Sequence, residues 1–479
     1  MALGNLADDL LDGIDDARRE MSRWFEPTLR LGVTGLSGAG KTVFITALVA
    51  SLLNRGRMRM LGAQADGRIE AAHLRPQPDP QVPRFAFEAH LKALTSTPAS
   101  WPESTRSVSQ LRVSIRSRPT GFARGLLGPN TLNLDIVDYP GEWLLDLLLL
   151  DKDYAAWATE ALSIAQSPAR SQFASGWHAE LAMHDGDNSH NETSAEALAN
   201  AYRDYLQACR AAGHSALAPG RFLMPGELDG SPALTFAPLP APARVRRGSL
   251  YAQMQERYDA YKRVVVKPFF REHFARLDRQ VVLIDVLDAL ARGPRALADL
   301  TATMAETLGA FRHGSNSWLD RTLGGRRIDR LLFCASKSDH LHHEQHPQLT
   351  ALVEAMLAEA KQTAQWAGTD TRALAIAAIR ATSEQEIMQE GEPLRIVRGI
   401  RSDIGREAAI FPGDLPADPR QLLATADKAA PGEAPKDWPS AQFAALSFAP
   451  PLWGAHPGDG PPHIRLDSAL DFLIGDRLE

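Results

Sequence analysis

The chain has 479 residues, 44% of them hydrophobic, which at about 100–200 residues per domain allows two to four modules or one domain with large insertions. Fifty-two Lys and Arg against 58 Asp and Glu leave a net charge of −6 without a long basic run, which argues against a protein held on nucleic acid through its phosphates. Two cysteines, Cys209 and Cys334, cannot build a disulfide framework or a multi-cysteine metal site.

Taken in chain order, residues 1–27 open with a helix over 5–22. Leu6, Leu10, Leu11, Ile14 and Ala17 share one face of it, and acidic residues fill the rest. This stretch has no apolar core of the kind a secretory signal needs. Leu29–Thr34 reads as a strand, followed by a glycine-rich turn and a helix from Lys41 with Phe44, Leu48 and Leu52 on one face. Pro76, Pro78, Pro80 and Pro83 mark an irregular connector. Leu111–Ser117 and Thr131–Val137 then read as an antiparallel pair. The most apolar stretch, Trp143–Leu150, is far short of the ~20 residues a membrane helix needs, so no direct membrane insertion and a cytoplasmic location are expected.

Val281–Leu287 and Asp329–Ala335 are near-continuous apolar runs, the mark of strands buried on both faces, and each precedes a helical pattern. Leu374–Ile379 reads as the last strand. The rhythm predicts an α/β domain with a mostly parallel sheet, one antiparallel strand and large, mainly helical insertions. Its expected parts are residues 28–151 and 280–383, separated by a helical insertion at 152–279. An irregular insertion at 384–460, with a linker-like Ala429–Pro439, and a C-terminal helix at 461–479 complete the chain.

Gly35-Leu36-Ser37-Gly38-Ala39-Gly40-Lys41-Thr42 is a full match to the phosphate-binding P-loop pattern, placed between a strand and a helix. Its glycines let the backbone N–H groups from Ser37 to Val43 turn inward around phosphate oxygens, at the positive end of the helix that follows. Lys41 supplies a cation to the β- and γ-phosphates, and the Thr42 hydroxyl ligates Mg²⁺. Asp138-Tyr139-Pro140-Gly141-Glu142 follows a buried strand. Asp138 stands where the Mg²⁺ shell needs a negative oxygen, and Gly141 where its N–H meets a γ-phosphate. Asp285, read as lying inside a strand, is a rival metal carboxylate for which burial against a partner is the preferred reading.

Ser336-Lys337-Ser338-Asp339 closes a buried strand, at the edge where open α/β sheets bind ligands. The Asp339 carboxylate can accept from guanine N1–H and the 2-amino group together, which adenine does not offer. Lys337 is expected to pack its stem over the base and direct its head to the P-loop. Ala381 and Thr382 can bring backbone N–H groups to a base oxygen, although an ordinary turn explains them equally well. Thr105, with Ser104 and Ser107 as competitors, is the candidate to close on Mg²⁺ and γ-phosphate. Arg106 beside it reads as a solvated arginine more readily than as an internal arginine finger. The run from Asp339 to His346 is rich in metal-ligand types, but its His343-Glu344-Gln345-His346 is one residue short of the metalloprotease spacing.

With these motifs, the chain resembles the YcjX-like P-loop NTPases, bacterial stress-associated proteins regarded as GTPases. The resemblance rests on Val33–Val49, Leu134–Leu147, Pro219–Gly226, Phe274–Leu287, Ala335–His340 and Pro462–Leu478. It implies GTP or GDP with Mg²⁺ as ligands, and nucleotide contacts at Gly35, Gly40, Lys41, Thr42, Asp138, Gly141, Lys337 and Asp339. It also implies a protein partner associated with the membrane, which it does not name. Small GTPases align the attacking water with the side chain after the D-x-x-G glycine, here Glu142. Its negative charge near a phosphoryl group predicts slow turnover, with Lys41 and Thr105 as the other catalytic candidates. An ATPase and a non-catalytic, nucleotide-bound scaffold are the competing readings.

Overall fold

The computed structural model describes residues 26–309 and 328–479, apart from residues 37, 104–106, 121–128, 190, 367, 390, 430–434, 436–437, 439–442, 444–446 and 454–457. The expected helix over 5–22 lies outside the described residues, as does most of the linker-like stretch Ala429–Pro439.

Seven strands form the central sheet: β1 (Thr28–Gly35), β2 (Ile69–Arg75), β3 (Ser109–Ser117), β4 (Asn130–Asp138), β5 (Arg279–Ile284), β6 (Arg330–Ala335) and β7 (Asp370–Ala375). Their order is β2-β3-β4-β1-β5-β6-β7. β3 runs antiparallel to both of its neighbours, while β4, β1, β5, β6 and β7 pair in parallel. The two-residue period of the strands splits the core. Leu31, Val33, Val281, Leu283, Leu332 and Cys334 face one side, packing with the helices Lys41–Asn54 and Leu466–Ile474. Val282, Ile284, Leu331, Phe333 and Ala335 face the other, against the helices Val286–Arg292, Pro294–Gly309 and His346–Met356. Helices on both faces explain why β5 is apolar without alternation.

Between β4 and β5 the chain is helical. Its principal helices are Tyr154–Ala165, Ser175–Met183, Glu192–Ala211 and Leu250–Tyr261, three of them capped by the side chains of Asp153, Asn191 and Ser249. Aromatic residues dominate its core, with Trp157 stacked on Tyr258 at 4.9 Å. That core encloses Trp143, Leu144, Leu147 and Leu149 as well, so the leucine-rich stretch after β4 is buried.

Three details differ from the sequence reading. β2 forms an outer strand where the sequence pattern gave none. The last sheet strand lies at 370–375 rather than 374–379. Within the segment read as irregular, β8 (Ser383–Gln389), β9 (Glu392–Ile400) and β10 (Glu407–Ile410) build a separate antiparallel sheet in the order β10-β9-β8.

Candidate functional site

The glycine-rich loop leaves β1 at Gly35 and enters the helix Lys41–Asn54 at the carboxyl edge of the parallel strands. Gly38 and Gly40 sit in the left-handed region at φ 84° and 87°, which glycine adopts without a Cβ penalty, and both face open space on the side a Cβ would fill. The backbone therefore forms a cradle into which N–H groups can point. Lys41 folds back over the loop, its Nζ donating to the Gly35 carbonyl at 2.6 Å. Thr42 is buried at the first turn of the helix. Ser37 and Thr105, with Ser104 and Arg106, lie outside the described residues.

Asp138 ends β4 in register with Val33 on β1, which brings its buried carboxyl group to the same sheet edge as Thr42. A hydroxyl and a carboxylate are the hard oxygen donors that Mg²⁺ prefers, so this pair suits that ion. Gly141 then passes so close to the loop that a Cβ there would lie 2.4 Å from the Gly35 carbonyl oxygen, and only glycine fits.

A cleft of about 290 Å³ starts at Gly38–Val43 and runs along the sheet edge to Lys337, Asp339 and Ala381. It thus joins the glycine-rich loop to the residues predicted to read a base. Asp339 is buried, and its Oδ2 accepts the Ala381 N–H at 2.7 Å. The Thr382 hydroxyl donates to the Asp339 backbone carbonyl, which ties the Asp339 main chain to the strand-to-loop turn after β7. His340 is buried beside it, and desolvation holds its imidazole below the usual pKa.

Lys337 departs from expectation. Its Nζ reaches Asp285 at 2.5 Å instead of the glycine-rich loop. Burial alone would lower the Lys337 pKa, but the Asp285 carboxylate outweighs it and the net shift is upward. Asp285 is not mid-strand either. β5 stops at Ile284, and Asp285 caps the next helix by accepting the Asp288 N–H at 3.1 Å. Pro347 sits in the first turn of the helix His346–Met356 and starts it, so His342 and His346 do not share a helix face. His342, His343 and Glu344 cluster nearby, with His343 Nδ1 2.5 Å from Glu384 and Glu344 paired to Arg395 at 2.7 Å.

Three residues that sequence reasoning missed complete the site. Trp101 and Phe448 line the cleft from distant segments, and the Trp101 indole donates to the Phe448 carbonyl at 2.7 Å. Nothing local in the sequence marks that meeting. The third, Arg210, approaches Glu142 from the helix Glu192–Ala211 at 3.5 Å.

A seven-stranded, mostly parallel sheet with this strand-to-helix loop at its carboxyl edge defines an α/β protein of the GTPase-like class. More particularly, the chain belongs to the YcjX-like family (DUF463), whose model matches residues 29–478. It is 36% identical over 471 residues to a protein named Ras-like GTPase YcjX from Escherichia coli strain K12, covering 96% of this chain and 97% of the relative. A protein of the same name from Shewanella oneidensis is 35% identical over 477 residues, covering 94% and 95%.

Proposed function

We propose that this protein binds GTP with Mg²⁺ in the cleft between Gly38 and Ala381 and hydrolyses it slowly, as a conformational switch in a bacterial stress response. The observation that carries the reading is the position of Asp339, a buried carboxylate at one end of a cleft whose other end is the glycine-rich loop. The names of the two relatives support guanine over adenine. Backbone N–H groups of Gly38 to Val43 and the Lys41 ammonium hold the phosphates. Thr42 and Asp138 hold Mg²⁺, which when bound draws charge from the β- and γ-phosphates. Glu142 orients water. The segment 152–279 acts as an insertion domain that carries the nucleotide state to a protein partner, with the protein working in the cytoplasm. Among the described residues, no helix is long and apolar enough to cross a membrane.

Equilibrium binding of GDP and ADP, with Mg²⁺, tests the base assignment. The parent should prefer GDP by about tenfold or more, since a buried polar group left without its partner costs about 1–3 kcal/mol, and Asp339→Ala should lose that preference. Equal or tighter ADP binding by the parent would move the protein to the ATPase class. Turnover of GTP that persists in Lys41→Ala would remove the loop from the mechanism.

A further inference from the structure

A glutamate at the water-aligning position carries its own difficulty. Its charge has the sign of the phosphoryl group it must approach, and like charges in a site that excludes water repel strongly. The fold brings a compensating cation from outside the sheet. Arg210 lies in the last turn of the helix Glu192–Ala211, where a cation also suits the helix dipole, and its Nη2 is 3.5 Å from Glu142 Oε1. The Glu142 side chain is only 7% exposed, while Arg210, at 31%, reaches it from the partly open side.

The backbone around the pair is fixed. Gly220 N–H donates to Asp146 at 2.6 Å, the Trp143 indole donates to the Met224 carbonyl at 2.9 Å, and Arg210 Nη1 lies 3.3 Å from Met224 Sδ. One loop of the helical segment therefore seats both the residues around Glu142 and the guanidinium. Glu142 and Arg210 line a cavity of about 240 Å³ whose lining also includes Gly38 and Ala39 of the glycine-rich loop. Arg292, another cation of that lining, is paired with Asp288 on its own helix at 2.9 Å.

We propose that Arg210 is a positioning residue for GTP hydrolysis, supplied by the helical segment to hold the Glu142 carboxylate and cancel its charge. Neutralised in this way, Glu142 accepts a hydrogen bond from the attacking water without repelling the phosphoryl group. The water oxygen bonds to the γ-phosphorus as the bond to the β–γ bridging oxygen breaks. GDP leaves, and the water proton passes to the released phosphate. The inference rests on the GTP-hydrolysis reading above, and it gives the helical segment a part in the chemistry.

A double-mutant cycle on the full chain decides it. GTP turnover, GDP affinity and thermal melting are measured for the parent, Arg210→Ala, Arg210→Lys, Glu142→Gln, the pair Arg210→Ala with Glu142→Gln, and Lys41→Ala. Arg210→Ala should lower kcat about tenfold or more, with GDP affinity within about twofold of the parent, and Arg210→Lys should recover part of the loss. In the Glu142→Gln background, where no charge needs cancelling, Arg210→Ala should change kcat by less than about threefold. Parent-like turnover in Arg210→Ala overturns the proposal, and so does an equal loss in both backgrounds, which would mean direct contact with phosphate or a general effect on the fold. If Arg210→Ala does not melt cooperatively, Arg210→Gln takes its place in the cycle with the same expected outcomes. A parent without Lys41-dependent turnover overturns the hydrolysis reading itself, and this inference with it, a result distinct from the two above.

Discussion

Asp146 is a carboxylate whose proton burial makes harder to release. It is fully enclosed, and desolvation pushes its pKa up to about 6 although Tyr261, Gly220 and Arg221 all favour the charged form. Its ordinary value is 3.8, so the unfolded chain releases this proton near pH 4 and the folded chain near pH 6. Between those two values the folded state binds more protons. Stability contributed by this group is therefore complete below pH 4, falls as pH rises to 6, and is level above that. Asp146→Asn has no such proton to lose. The melting temperature of the parent, taken relative to Asp146→Asn, should decline from pH 4.5 to 6 and then hold constant to 7.5. A difference that stays flat across the whole range would show that Asp146 is ionised throughout.

At the scale of elements, the decisive contact is the one between the turn at Pro219–Met224 and the short helix Glu142–Leu145 that follows β4. Gly220 approaches so closely that a Cβ there would lie 2.0 Å from the Glu142 carbonyl oxygen and 3.2 Å from the Trp143 nitrogen. Backbone atoms cannot swing aside as a flexible side chain can. Gly220→Ala must push the two elements apart, at a cost of about 1–3 kcal/mol by comparison with overpacked cores. Thermal denaturation should show a fall of several degrees, and GTP turnover should drop because Glu142 moves with its backbone. An unshifted melting curve would mean that the contact is looser than the geometry implies. Elements of this kind were unequally legible in the sequence. β5 and β6 announce themselves as apolar runs, β1 reads as a short strand, and the loop from Gly35 to Thr42 matches a pattern whose residue types phosphate binding would dictate. β8 was missed because none of its residues is fully buried, so Ser383–Gln389 has no apolar alternation to read. β2, at the edge of the large sheet, buries only Ile69. The Lys337 ammonium settles on Asp285 because two strand ends, 52 residues apart in the chain, are neighbours in space. The pairing of Arg210 with Glu142 spans 68 residues and leaves no local trace either.

For the molecule as a whole, the stretch from Trp143 to Leu149 belongs to two structures at once. It begins one residue after Glu142, yet its side chains fill the core of the helical segment alongside Tyr154, Trp157, Tyr258 and Tyr261. Asp146 ties it further, accepting from the Tyr261 hydroxyl at 2.7 Å. Close-packed cores shift between discrete arrangements and do not stretch, so a displacement of Gly141 and Glu142 is passed to the helices packed on them. On the reading proposed here, the γ-phosphate contacts Gly141 in the GTP form and is gone in the GDP form. The helical segment should then take different positions in the two. Arg244, Arg246 and Arg247 are exposed in its loop before the helix Leu250–Tyr261 and offer trypsin a set of cleavage sites within it. Under limiting trypsin, cleavage at this loop should differ severalfold between protein saturated with GDP and protein saturated with a non-hydrolysable GTP analogue, with Mg²⁺ in both. The same comparison on Gly220→Ala should show a smaller difference, because the contact that transmits the displacement has been forced apart. Identical cleavage rates in both nucleotide forms of the parent would sever nucleotide state from the helical segment and leave the buried leucines with a purely structural role.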